Sequence, residues 1–227
     1  MNKRAIDYLK KYVGDLQILS INDLNDPAAV LPTSWLPVLS AVEEERAEKM
    51  LVLWEPFHTE LENVLTCLKE NLVSVDLGYH AGEYSLLYGI KNGDQVLYYE
   101  GKNPLSKEIP ERVKRCWNNL PKGLVDFYEQ LHNGWFFFAS ASKGLSPVER
   151  WSFLGDEQWN IVNELGTLDL PLQDMLTVYG NGRGDYVSLD VQQPQGESIL
   201  WWHNKAPNRS IDFWRSIDKW THLGLIN

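Results

Sequence analysis

Residues 180 to 185 read GNGRGD and run on into YVSLDV, a glycine spacing that could serve three kinds of chemistry. A phosphate-binding loop needs a lysine followed by serine or threonine at the start of a helix, so that backbone N–H groups and an ammonium both meet the phosphate. Here Asp185 and a strand-like run follow, so the charge and the element are both wrong. A dinucleotide loop fails as well, since the third glycine is misplaced and no helix opens. The RGD at 183 to 185 is expected to be coincidental, because the opening MNKRAIDYLKKYVGD holds no uninterrupted apolar segment and no small-residue cleavage site. What remains is a tight turn: Gly180, Gly182 and Gly184 take backbone angles closed to other residues, and Asp185 accepts N–H bonds from the turn.

Other reactive residues form fragments of sites. Ser140 and Lys143 make an SxxK pair, but the SDN and KTG companions of that chemistry are missing and the pair follows FFF, a strand-like run. The five histidines, His58, His80, His132, His203 and His222, show neither HxxxH nor HxH spacing, and no cysteine stands at a zinc-binding distance from them. Cys67 and Cys116 form no CxxC pair and are expected to be free, buried thiols. No metal and no cofactor is expected. An acid/base site assembled from Asp185, Asp190, Glu157 and His203 stays open as an enzymatic reading, which a deep pocket holding those groups would favour.

The chain has 227 residues and a net charge of -10. Residues 1–105 carry 16 Asp and Glu against 9 Lys and Arg, and residues 106–227 carry 15 against 12, so the acid is concentrated in the first half. Such a surface repels a phosphate backbone and lacks the basic stripe that nucleic-acid binding needs, whereas a basic protein partner is attracted. No apolar run is long enough to span a bilayer, which makes a membrane partner unexpected and a cytoplasmic location the expectation.

These residues must be positioned by two kinds of sequence. Residues 2–12 fit a short helix with Ile6, Leu9 and Val13 on one side; Pro27, Pro32 and Pro37 then predict irregular structure to about residue 40. Helices are predicted over 40–54 and 59–71. In the second, Leu61, Val64, Leu65 and Leu68 share a face and Thr59 with Glu62 has capping-box spacing. LVSVDL, EYSLLYGI and QVLYYE then read as three antiparallel strands, the last two joined by a hairpin at Asn92-Gly93. Residues 102–110 are the candidate boundary between an acidic helical and hairpin region, 1–105, and a second domain, 106–227. The second half holds eight of the ten tryptophans. Its predicted order is a helix around VKRCWNN, a helix with Leu124, Phe127, Tyr128 and Leu131 on one face, then strands, the polar turn QQPQGE, the strand SILWWH and an amphipathic C-terminal helix. Adjacent Trp201 and Trp202 must face opposite sides of the sheet, one into the core and one accessible, and Trp214 and Trp220 point in different directions on the last helix.

Four segments in this order, LPKGLVDFYEQLHNGW, GNGRGDYVSLDV, ILWWHN and the aromatic C-terminal helix, resemble the SUKH superfamily, which includes yeast regulators of cell-wall synthesis and many bacterial immunity proteins. The resemblance covers about residues 108–222. It implies an α+β fold, an antiparallel or mixed sheet flanked by helices, here preceded by an N-terminal helix and β-hairpin extension. It implies an immunity protein, not an enzyme, that occludes a cognate toxin domain, with the acidic surface covering a basic cleft and exposed aromatics slowing dissociation. The candidate partner-binding residues, taken from the acidic and aromatic positions of this region, are Trp135, Glu149, Trp151, Asp156, Glu157, Asp185, Asp190, Trp201, Trp202 and His203. A regulatory scaffold of the same fold, binding several cellular proteins, is the second reading.

Overall fold

The computed structural model describes residues 3–166, 168–192 and 194–226. Asn2 of the first expected helix and Gln193 of the QQPQGE turn lie outside the described residues. The architecture is α+β. One antiparallel sheet holds β1 (Gln17–Leu19), β2 (Leu72–His80), β3 (Glu83–Asn92), β4 (Gln95–Lys102), β5 (Trp135–Phe137) and β6 (Ser142–Leu145) in that order. It continues through β8 (Met175–Gly180), β9 (Tyr186–Asp190), β10 (Ser198–Trp202) and β11 (Lys205–Asn208), while β7 (Ser152–Phe153) pairs with β8 from the side. Every strand pair among the described residues is antiparallel.

The helices are α1 (Lys3–Leu9), the short α2 (Pro27–Val30) and α3 (Leu36–Leu39), α4 (Glu43–Trp54), α5 (Glu62–Asn71), α6 (Glu111–Cys116), α7 (Lys122–Asp126), α8 (Asn160–Leu165) and α9 (Phe213–Ile226). α7 widens into a π turn over Phe127–Leu131, the segment that carries the predicted apolar face. Glu43, Glu44 and Glu45 fill the first turn of α4, where negative charge meets the positive end of the helix dipole. α5 starts at Glu62, three residues later than expected, and Thr59 does not cap it. Its cap comes from α9: the Asp218 carboxylate accepts the backbone N–H groups of Asn63 (3.2 Å) and Val64 (2.9 Å). The hairpin between β3 and β4 also differs by one position. Asn92 pairs with Gln95 as the last strand residue, so the two turn residues are Gly93 and Asp94, and Gly93 alone takes a positive φ, 58°.

The ladder crosses the boundary expected near residue 105, with Tyr99 opposite Phe137 and Gly101 opposite Trp135. The largest apolar cluster likewise takes Trp54 and Tyr88 from one side and Phe127 and Trp135 from the other. On the opposite face of the sheet, α1 sets Ala5 and Leu9 against Leu87, Tyr98 and Phe138. Residues 1–105 thus widen the sheet and share their cores with the second half of the chain. A third cluster, Leu154, Ile161, Met175, Ile199 and Trp201, covers the face of β8–β10 that looks away from α9. No helix among the described residues is long and apolar enough to cross a membrane.

Candidate functional site

The glycine-rich stretch is a turn between β8 and β9. Asn181 N–H bonds the Asp185 carbonyl at 3.1 Å and closes it. Gly182 and Gly184 carry φ values of 79° and 88°, in the left-handed region that glycine enters without a Cβ penalty. Gly180 does not share this role, because it is still a strand residue, paired with Tyr186. The acceptor for the turn is also different from the one expected: the side-chain oxygen of Asn181 takes the N–H groups of Arg183 (2.8 Å) and Asp185 (3.2 Å). Asp185 reaches out of the turn to the next hairpin. Its carboxylate accepts the backbone N–H of His203 at 3.1 Å, contacts His203 Nδ1 at 2.7 Å and takes the Asn181 amide at 2.7 Å. Burial alone would raise the Asp185 pKa, but these donors outweigh it and hold the carboxyl below the ordinary range. His203 is anchored at Nδ1 while its side chain remains 47 % exposed.

Strand alternation decides the tryptophans of β10. Trp201 is fully buried on the face away from α9, against Trp159 at 5.2 Å between ring centroids. Trp202 points to the α9 side, where its ring lies 5.5 Å from that of Trp220, and its Nε1 donates to Asn208 at 2.6 Å. Tyr179, at the end of β8, stands 5.9 Å from Trp220. Between α9 and the turn these rings line an open cleft of about 420 Å³. Its remaining walls are Leu223 and Gly224 of α9, Asn181, Arg183 and Asp185 of the turn, and Lys143 from the start of β6.

Of the ten suggested binding residues, Asp185 and Trp202 line this cleft, and His203 stands behind its wall in contact with Asp185. Trp135, Trp151 and Trp201 are corrections, since each is buried and holds packing contacts. Trp135 stacks on Tyr99 at 4.5 Å, and Trp151 donates from Nε1 to the Ser146 carbonyl at 3.0 Å and meets Tyr128 edge-on. Glu149 and Asp156 are exposed but engaged within the chain. Glu149 takes the Asn133 amide and the Glu108 N–H at 2.8 Å; Asp156 takes Arg112 at 2.6 Å and the Phe153 N–H at 3.0 Å. Asp190 accepts the Gln192 N–H at 2.9 Å. Glu157 is exposed beside Trp159 and Tyr186, in a shallow depression on the other side of the sheet.

The acid/base set of Asp185, Asp190, Glu157 and His203 therefore does not converge. Asp185 and Asp190 flank β9 at opposite ends, about 17 Å apart at the usual strand rise. Ser140 and Lys143 form no pair either: the Ser140 hydroxyl bonds that of Ser142 at 2.7 Å, and Lys143 Nζ lies 5.6 Å from the Phe137 ring centroid. Among the described residues no group of three or more His, Cys, Asp or Glu is placed to hold a metal ion. Sequence reasoning missed Tyr179, Arg183 and Leu223 as cleft residues. The available signal was the i, i+3, i+4 spacing of Trp220, Leu223 and Gly224 on one helical face, directed at a glycine turn. No protein-family model, no curated protein and no solved structure matches the chain.

Proposed function

We propose that this chain is a protein-binding module of the immunity type, acting in the cytoplasm, which neutralises a cognate toxin domain by occluding it. The observation that supports the reading is the cleft. Three of the four segments on which the SUKH resemblance rests, the GNGRGDY turn, the end of ILWWHN and the C-terminal helix, meet there and leave half-buried tryptophans facing solvent. Partly exposed tryptophan beside fixed polar groups is a favoured anchor for protein recognition, and the rigid turn and hairpin hold it pre-organised. The -10 charge adds long-range attraction for a basic toxin surface. Co-expression with a toxin domain encoded beside the gene tests the proposal. Growth rescue and a co-purifying complex are expected, both lost in the Trp202→Ala, Trp220→Ala double variant. Continued killing without a complex overturns it.

A further inference from the structure

The chain as a whole is acidic, yet the charges around the cleft are of the opposite sign. Lys143 and Arg183 line it, and Lys205 Nζ sits 3.9 Å over the Trp202 ring. Among the described residues no carboxylate lies within ion-pair distance of any of the three. Some cations elsewhere are neutralised by carboxylates, Lys102 with Glu83, Arg112 with Asp156 and Arg209 with Glu197. The one carboxylate in the cleft wall, Asp185, is buried and already accepts three hydrogen bonds from His203 and Asn181. In a chain with ten more acids than bases, three cations gathered around one apolar cleft reverse the local sign of charge.

Lys143 is also held by an uncommon backbone. It takes φ 58°, a left-handed angle costly for a side chain with a Cβ, at the start of β6, just after a turn in which Ala141 does the same at 48°. A Cβ placed on Gly224 would come within 3.2 Å of Lys143 Cβ and 3.0 Å of the Tyr99 hydroxyl. α9 therefore packs closely against the lysine stem at Gly224, where an added side chain would make its neighbours give by a few tenths of an ångström.

We infer that the cleft receives an acidic segment of a partner protein, one aromatic or aliphatic side chain entering between α9 and the glycine turn against Trp202 and Trp220, with flanking carboxylates on Lys143, Arg183 and Lys205. This rests on the protein-binding reading and specifies the chemistry of the segment. A basic toxin surface drawn in by the whole-molecule charge would then carry an acidic knob that is gripped at short range, where local charges outweigh the screened net charge.

The test uses the full chain, ¹⁵N-labelled, and three synthetic pentapeptides: Ac-Glu-Asp-Phe-Asp-Glu-NH2, its serine-centred counterpart, and Ac-Lys-Lys-Phe-Lys-Lys-NH2. The readout is the indole N–H resonances of Trp202 and Trp220, assigned with the Trp202→Phe and Trp220→Phe variants. The acidic phenylalanine peptide is expected to move both, more weakly as salt is raised, and the other two peptides to leave them in place. Lys143→Glu with Arg183→Glu should weaken the acidic peptide by about tenfold or more, a loss set by two charge pairs, and let the basic peptide bind. Preference of the unaltered protein for the basic peptide, or shifts confined to other residues, overturns the inference. If a toxin domain is neutralised while the acidic peptide leaves the indoles unmoved, the acidic-segment inference falls and the immunity reading stands. If the acidic peptide binds at the cleft and no toxin is neutralised, the inference stands and the immunity reading falls.

Discussion

Two places in this molecule gather histidine and tryptophan, and they are finished to different degrees. Around His132 the rings close on one another: Trp35 and Trp54 lie 5.4 and 6.3 Å from the imidazole, Nε2 is 2.5 Å from the Tyr88 hydroxyl, and that hydroxyl takes the Trp54 Nε1 proton at 3.1 Å. Trp35, Trp54, Tyr88 and His132 are all fully buried. Around His203 the same residue types stop short. Trp202 and Trp220 remain half-buried with a cleft of about 420 Å³ between α9 and the turn. The inner group is a closed, fully buried core in which His132 Nδ1 has no hydrogen-bond partner among the described residues, and the outer group keeps its rings available. Residue type does not separate a site from a core here; incomplete packing does.

The largest effect should follow from opening the closed group. Trp54→Ala removes a fully buried ring and leaves the Tyr88 hydroxyl without one of its partners, which should cost about 3–5 kcal/mol in urea unfolding. The closed group should also set the acid sensitivity of the fold. Burial pushes the His132 pKa down to about 3, so below the ordinary histidine value the unfolded chain binds a proton that the folded chain does not. Stability is then lost as pH falls from 6.5, by about 2 kcal/mol at pH 5, and a His132→Gln variant should show a flatter slope over that window. His80 acts in the opposite sense. Its bond to Glu100, 2.6 Å away, raises its pKa, so its contribution is full below pH 6.5 and is lost as pH rises through the folded value. His80→Gln should abolish the stability gained as pH falls from the raised folded value to 6.5 and leave the slope below 6.5 unchanged.

How much of this contrast the sequence discloses depends on where each side chain finds its partner. Local periodicity was enough for the three strands of residues 72–102 and for the opposed faces of Trp201 and Trp202, since a period of two fixes both. It was not enough for Trp135 and Trp151, because the strand holding Trp135 is three residues long and is covered by helices that precede it in the chain. The carboxylates were illegible for the same reason. Glu149 meets Asn133 and Glu108, Asp156 meets Arg112, and Asp218 caps a helix that begins 156 residues earlier. No spacing rule reaches partners so far apart. At the cleft and behind its wall, Asp185, Trp202 and His203 could be named because each adjoins a glycine turn or a strand end, whereas Tyr179 and Arg183 acquire a role only when α9 closes over them.

Asp218 tests how firmly α9, one wall of the cleft, is tied to the rest. Its buried carboxylate bonds the Asn63 and Val64 N–H groups and the Asn63 amide, so it serves α5 as a side-chain cap supplied from another helix. Asp218→Asn should cost about 1–2 kcal/mol, the usual range for loss of a cap. Because α9 also carries Trp220, the indole resonance of Trp220 should shift in this variant while that of Trp54 stays in place. A uniform shift of both would mean that α9 and the inner core respond as one body and that the cleft has no independent wall.

The smallest effect on stability is expected at the cleft itself. Trp202 bonds Asn208, lies under Lys205 and touches Trp220, all interactions of a half-exposed ring, so Trp202→Ala should change the unfolding free energy by about 1 kcal/mol or less. The adjacent Trp201→Ala, one residue away on the other face, should cost several times as much, because that ring fills a closed cluster with Ile199 and Met175. The pair is a strict comparison: same strand, same residue type, opposite sides of one sheet. Equal losses in urea unfolding would make Trp202 part of the core and leave the cleft without its anchor. A small loss at Trp202, joined to loss of toxin neutralisation, would show a ring kept on the surface at little structural benefit, and recognition of a partner supplies a reason for keeping it there.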